Sequence, residues 1–299
     1  MFRFCRGIKN TVVRRVVTAL CGLTISPLIL YRVICFTIPY VEFVLTPRCN
    51  LRCEGCANLM GYYDGSEGID EDNNLKLAKK ALDNLLKISR RITTVAFTGG
   101  EPFLFDRLHE AVAYASASKR VSRITIHTNG TVVPTDENLK CLNNKKVTVE
   151  ISEFPGFDTR KAVDVLRKSG IRYKKTRQKK WIDYGGIQNR GLSKSDLRRS
   201  FAECRSAECK TIFMGSLFTC PRSAHSYMLR LFDEDRAVYV NLATTPENML
   251  KQRIKELFST PYVEACKFCN PVWTRGDIGC TQDKKPEKQT HLLKFNNKE

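Results

Sequence analysis

From residue 41 onward, apolar β-like runs alternate with amphipathic helical runs, which predicts an α/β fold built as a partial (β/α)6 TIM-like barrel. Two further observations point the same way. Cysteines, glycines and polar residues stand directly behind the strand-like runs, where a parallel barrel carries its chemistry. After about residue 200 the alternation gives way to a small C-terminal hairpin-plus-helix domain.

VEFVLT (41–46) reads as the first strand. A helix over 72–90 follows, with apolar residues at helical spacing and Asp72 or Asn73 as its cap. ITTVAFT (92–98) is the second strand, with a helix over 106–118 behind it. RITIHT (123–128) is the third and ends in the turn pair Asn129-Gly130. KVTVEIS (146–152) is the fourth, followed by a helix from Asp158 to Lys168, and IRYKKT (171–176) is the fifth. KTIFMGSLFTCP (210–221) reads as a hairpin turning at Gly215-Ser216, and ENMLKQRIKELFS (247–259) as a helix. The organisation expected is an N-terminal extension over 1–40, a barrel core over 41–200, the C-terminal domain over 201–280 and a polar tail over 281–299.

Composition narrows the class. An apolar content of 42 % excludes wholesale disorder, and a formal charge of +19 biases the protein toward anionic partners. Thirteen cysteines, an odd number in tight clusters, fit a disulfide framework poorly and point to metal binding in a reducing, cytoplasmic compartment. Residues 1–40 hold six Lys/Arg and no acid, and their apolar run Val16–Tyr31 contains Pro27 and is shorter than a spanning helix. Two readings stand for it: helices lying on the inner face of the membrane, or an extension packed on the barrel.

Cys49, Cys53 and Cys56 form a C-x3-C-x2-C motif directly after the first strand. A structural zinc site wants four protein ligands. A 4Fe–4S cluster held by three cysteines keeps one iron open to a small molecule. Taken with GGEP (99–102) after the second strand, TNG (128–130) after the third and EIS (150–152) at the fourth, the stretch over about 41–180 resembles the radical S-adenosylmethionine (SAM) superfamily. The resemblance implies that Cys49, Cys53 and Cys56 ligate the cluster and that SAM chelates its fourth iron. It implies Gly99, Gly100, Glu101 and Pro102 around the methionyl amine, Asn129 near the SAM carboxylate, and Glu150 and Ser152 at the ribose. It departs at Gly55, where members of the family often carry an aromatic near adenine. The implied chemistry is reductive cleavage of SAM to a 5′-deoxyadenosyl radical that takes a hydrogen from an unactivated carbon, fed by a donor such as flavodoxin or ferredoxin.

Cys204, Gly215, Cys220 and the Cys266-x2-Cys269 pair resemble the SPASM auxiliary-cluster module in its shortened, twitch form, which implies a second 4Fe–4S cluster. Cys209 competes with Cys204 as first ligand, Cys280 is an extra ligand or a bystander, and a structural zinc is the plain alternative. The shortened module resembles that of dehydrogenases acting on aminoglycoside sugars. It implies oxidation or epimerisation of a sugar or glycoconjugate, with the auxiliary cluster as electron acceptor. Candidates for the base are His225, Arg177, Asp183 and Tyr184, with His225 also readable as a plain surface histidine. Cys209 or Cys280 would return a hydrogen in an epimerisation, against the plain reading of buried small apolar residues. Residues 171–210 hold twelve Lys/Arg against four Asp/Glu, which suits a phosphorylated substrate or a solvated basic face. Nucleic acid is not expected, because no RNA-binding motif with interleaved aromatics is present. The rival functions are a maturase of ribosomally made peptides and a non-catalytic iron–sulfur or zinc scaffold.

Overall fold

The computed structural model describes residues 37–65, 67–232 and 238–279. The expectations placed on residues 1–36, on Cys280 and on the tail 281–299 lie outside the described residues. The main sheet lies within the unit Ile38–Glu299, save for the first residue of its strand at Thr37.

The barrel elements are β1 (Thr37–Thr46), α1 (Glu71–Ile88), β2 (Arg91–Gly99), α2 (Leu108–Ala117), β3 (Val121–Thr128), α3 (Asp136–Leu142), β4 (Val147–Glu153), α4 (Arg160–Lys168) and β5 (Tyr173–Arg177). Then come β6 (Lys180–Ile182), α5 (Lys194–Glu203), β7 (Thr211–Phe213), β8 (Ser216–Phe218), α6 (Pro221–Met228), β9 (Val240–Asn241), α7 (Glu247–Ser259) and β10 (Asp277–Gly279). The main sheet runs β5-β4-β3-β2-β1-β7-β8-β9. Its β2–β3, β3–β4, β4–β5 and β1–β7 pairs are parallel, so the α/β, partial-barrel expectation holds. The β7–β8 hairpin, expected to open a C-terminal domain, instead continues the barrel sheet beside β1, with Glu42 opposite Thr211.

Strand side chains alternate between faces, and here the two faces differ in kind. Phe43, Leu45, Phe97, Ile124, Ile126 and Ile151 point to the helix side and pack with Leu75, Leu108 and Leu166 of α1, α2 and α4, all buried. Each such side chain contributes about 1.5–3 kcal/mol on burial. The opposite face, the barrel interior, carries Tyr40, Glu42, Thr125, His127, Glu150 and Ser152.

Local chemistry sets the joints. Asp70, two residues before the expected cap, accepts from Asp72 N at 2.9 Å and Asn73 N at 3.1 Å to start α1. Buried Asn74 donates to the carbonyls of Val44 and Leu45 and accepts from Met214 N at 3.0 Å, fastening α1 to β1 and to the hairpin. The hairpin turns at Met214-Gly215, one residue earlier than expected, with both residues at positive φ (47° and 72°). That is the two-residue turn that matches strand twist, and glycine serves its second position.

Candidate active site

The cysteine loop leaves β1 at Thr46 and is pinned to the start of α1. The Thr46 hydroxyl donates to Glu71, and the Arg48 guanidinium engages the same carboxylate at 2.9 and 2.7 Å. Successive turns then bring the thiols round: Cys56 N donates to Cys53 O at 3.2 Å and Leu59 N to Cys56 O at 3.0 Å, with Gly55 between at φ 63°. Burial pushes the Cys49 thiol up to about 11 and raises Cys56 as well. Backbone N–H groups of Asn58, Leu59 and Met60 on Cys56, and of Leu51 on Cys49, work against that rise. Amides converging on sulfur favour thiolate, the form that binds metal.

Above Gly55, Ile278 of β10 fills the space: a Cβ on Gly55 would stand 2.7 Å from Ile278 Cδ1 and 3.5 Å from Asp183 Oδ1. An aliphatic side chain from a distant strand thus covers the position where the sequence lacks an aromatic.

The two glycines after β2 are required by close approach. Gly100 N donates to Thr46 O and Glu101 N to Arg48 O, both at 2.8 Å, so the two strand-end loops are zipped backbone to backbone. A Cβ on Gly99 would overlap Thr46 O and one on Gly100 would overlap Arg48 O, and Gly99 also sits at φ 138°. Glu101 is fully buried and occupied by its own chain: it accepts from Thr128 Oγ1 at 2.7 Å, Asn129 N at 2.8 Å and Phe103 N at 3.1 Å. Its carboxylate therefore braces the end of β3. Pro102, also buried, opens the 3-10 turn Pro102–Leu104. Asn129 Nδ2 donates to Asn50 Oδ1 at 3.0 Å, and the same side chain reaches the Cys49 thiol. Ser152 is half-buried near the end of β4. Glu150, two residues earlier on the same face, is engaged by His127 and Lys174.

Residues 43–152 match the family model described as the radical SAM superfamily. They contain the cysteine loop, the glycine pair and the β3 and β4 ends just described. Residues 43–152 form a radical SAM domain.

GTP 3′,8-cyclase of Clostridium acetobutylicum is 32 % identical to this chain over 116 residues, 38 % of the chain and 35 % of that enzyme. The enzyme of the same name from Mycolicibacterium smegmatis is 39 % identical over 88 residues, 29 % of the chain and 23 % of that enzyme. The chain thus spans about a third or less of these curated relatives. Among solved structures, BtrN in complex with AdoMet and 2-DOIA is 17 % identical at a TM-score of 0.45, covering 78 % of this chain and 93 % of that one. Streptococcus suis SuiB bound to S-adenosylmethionine is 16 % identical at a TM-score of 0.36, covering 47 % of this chain and 32 % of that one.

Beyond the radical SAM domain, four cysteines from separate segments line one cavity: Cys204 at the end of α5, Cys220 capping α6, and Cys266 and Cys269 from the 3-10 turn Glu264–Phe268 and its edge. Cys209 is not in its wall. Cys220 Sγ accepts from Ser223 N at 3.3 Å, and Cys204 Sγ from Arg275 Nη1 at 3.3 Å. Burial, then the neighbouring Cys269 and Cys204, pushes the Cys220 thiol up to about 12. The buried guanidinium of Arg222 also faces this cavity; its partners are backbone carbonyls of Gly185, Gly186, Phe268 and Cys56, and its Nε has none among the described residues. Four soft sulfur donors beside two cations suit an anionic thiolate-bound metal group. Among the described residues no three His, Cys, Asp or Glu side chains stand at single-ion geometry, so what unites these thiols is the cavity they share.

The expected bases scatter. His225, read as a candidate base or as a plain surface histidine, is fully buried, with Nδ1 2.8 Å from Tyr63 Oη. Burial and the Arg222 charge hold its imidazole down to about 3, so it stays neutral in the core and offers no face to a substrate. Arg177 is exposed beside Glu153 at 3.5 Å. Asp183 accepts from Gly185 N at 2.8 Å and Asn270 Nδ2 at 2.9 Å, and Tyr184 Oη is 2.8 Å from Ser206 Oγ. Cys209 is half-buried, its thiol raised to about 11 by burial and by Glu42. Sequence reasoning missed Arg222, which carries no sequence signal, and the Tyr40–Glu42–His127 set. Polar residues alternating through β1 (Tyr40, Glu42) could have revealed that set. Among the described residues no helix is long and apolar enough to cross a membrane.

Proposed function

We propose that this chain is a radical SAM enzyme with two 4Fe–4S clusters that oxidises or epimerises a carbon of a sugar or glycoconjugate. Cys49, Cys53 and Cys56 would hold the first cluster, and Cys204, Cys220, Cys266 and Cys269 the second. The observation that carries this reading is the single cavity that collects those four cysteines with Arg222 and Arg275. When bound, SAM and the first cluster supply a radical able to remove hydrogen from an unactivated carbon. The chain's own part is positional. The zipped 46–48 and 99–101 backbones fix the cluster loop, Asn129 reaches it from β3, and Ser152 stands at the β4 end within the same layer for the ribose. Arg222 links the two cysteine sets, since its guanidinium meets the carbonyls of both Cys56 and Phe268. An auxiliary cluster there would accept an electron from a substrate radical, with flavodoxin or ferredoxin serving the first. A hydroxyl-rich substrate suits the barrel interior, which presents Glu42, His127 and Glu150 inside a chain of net charge +19.

Anaerobic reconstitution with iron counting, followed by a dithionite assay for 5′-deoxyadenosine, tests the reading. About eight irons per chain, falling by about four in Cys204→Ala/Cys220→Ala with SAM cleavage retained, is the expected result. About four irons in the wild type would remove the second cluster and the dehydrogenase reading with it.

A second reading, a phosphorylated or nucleotide substrate, is favoured by the GTP 3′,8-cyclase relatives and by the exposed Lys174, Lys175 and Arg177 along β5. Saturable binding of GTP, weakened in Lys174→Ala/Lys175→Ala, would select it over the sugar.

A further inference from the structure

On the interior face, one layer of side chains below Asn129 and Ser152, four titratable groups join strands that are not neighbours. Tyr40 Oη lies 3.2 Å from Glu42 Oε2 and 3.3 Å from His127 Nε2, reaching from β1 to β3 although β2 stands between them in the sheet. His127 Nδ1 lies 3.5 Å from Glu150 Oε2 on β4, and Lys174 of β5 approaches the same carboxylate at 3.9 Å. At the other end Thr211 Oγ1 of β7 lies 2.7 Å from Glu42 Oε1 and 3.0 Å from Cys209 O, and the Cys209 thiol is the remaining titratable neighbour.

Proton counting shows why this set is unusual. The Tyr40 and Thr211 hydroxyls each hold one proton and each have two acceptors in reach, so the hydrogen bonds can run in either sense. With Glu42 ionised, Tyr40 donates to Glu42, its oxygen accepts from His127 Nε2–H, and Nδ1 keeps a lone pair toward Glu150. With Glu42 protonated on Oε2, its own O–H donates to the Tyr40 oxygen, and Thr211 keeps its bond to Oε1. Tyr40 then donates to His127 Nε2, and the imidazole carries its proton on Nδ1, facing the Glu150 carboxylate.

The two ends also differ in access. The His127 and Glu150 side chains are 37 % and 39 % exposed, whereas Glu42 is 6 % exposed. We propose that Glu150, His127, Tyr40 and Glu42 form a proton relay that takes a proton from a hydroxyl-bearing ligand at the open end and stores it on Glu42. In the transfer the ligand O–H bond breaks and its proton passes through the Glu150 carboxylate to Nδ1. The Nε2 proton moves to the Tyr40 oxygen, and the Tyr40 proton moves to Glu42 Oε2. One proton enters, Glu42 becomes neutral, and the ligand oxygen keeps the electron pair. Burial raises the Glu42 carboxyl to about 7, against the hydrogen bonds from Thr211 and Tyr40 that lower it, so both relay states are populated near neutrality. Burial holds the His127 imidazole below its ordinary value against the opposing pull of Glu150, which keeps the ring a neutral carrier.

The catalytic part of this proposal rests on the function proposed above, and the reversal of the hydrogen bonds does not. Ring ¹⁵N NMR of the reconstituted full-length protein, labelled at histidine and assigned with His127→Gln, reads the reversal directly. The His127 ring should pass from the Nε2–H to the Nδ1–H tautomer as pH falls through about 7. Glu42→Gln and the milder Tyr40→Phe should each abolish that change. A ring that keeps one tautomer between about pH 5.5 and 8.5, or that changes identically in both variants, would overturn the relay. SAM cleavage in the dithionite assay tests the enzyme reading independently of the tautomer result.

Discussion

The Arg222 guanidinium, 3 % exposed, donates to the carbonyl of Gly185 at 2.7 Å, and so anchors the segment after β6 to the helix that begins at Cys220. A buried cation bonded only to carbonyls wants a negative neighbour, and four thiolates around a metal group would supply it. Arg222→Met should therefore deplete iron at the second set and destabilise the metal-loaded protein by about 2–4 kcal/mol, with Arg222→Lys in between. Iron counting and chemical denaturation of the reconstituted variants check this. Full iron retention by Arg222→Met would separate the residue from the metal group.

Gly100 and Gly276 make a matched pair of alanine tests. A Cβ on Gly100 has no room under Arg48, whereas nothing lies within 4 Å of one on Gly276. Gly100→Ala should cost about 3 kcal/mol or more and abolish SAM cleavage, while Gly276→Ala should stay within about 0.5 kcal/mol. Melting temperatures and 5′-deoxyadenosine yields together show whether the zipped loops set the site.

Glu42 makes folding pH-dependent. Its folded carboxyl is raised from 4.5 to about 7, so between those values the folded chain binds more protons than the unfolded one. Its contribution is therefore fully present below about pH 4.5 and lost as pH rises through about 7. Glu42→Gln should flatten that part of the stability–pH curve, by on the order of 3 kcal/mol, when denaturation midpoints are compared at pH 5 and pH 8.

Tyr63→Phe removes the hydroxyl that meets His225 Nδ1 and leaves a buried ring nitrogen unpaired. A loss of about 1–3 kcal/mol should follow, with no change in the pH profile of activity. A shifted profile would make His225 a candidate base again.

The five barrel strands were legible because each is an apolar run closed by a turn signal, and the cysteine loop because its three cysteines in eight residues follow the first strand directly. The seven-residue α3 was not, since a helix that short shows too little of a periodic stripe and depends on its Thr135 cap. The bracing of Glu101 was not legible for a different reason: its direction is fixed by Thr128 and Asn129, which approach it from another strand. Between Cys204 and Cys209 the sequence left the choice open, and of the two only Cys204 lines the cavity with Cys220, Cys266 and Cys269.

Ile278 over Gly55 ties the cysteine loop to a strand made much later in synthesis. On the ribosome, the three cysteines emerge long before β10 exists to cover them. The loop must therefore wait, uncovered and oxidisable, while the rest of the sheet is threaded out. Closing so long a contact is slow compared with neighbouring turns. Until that contact closes, the thiols stay open to whatever the last strand will shut out.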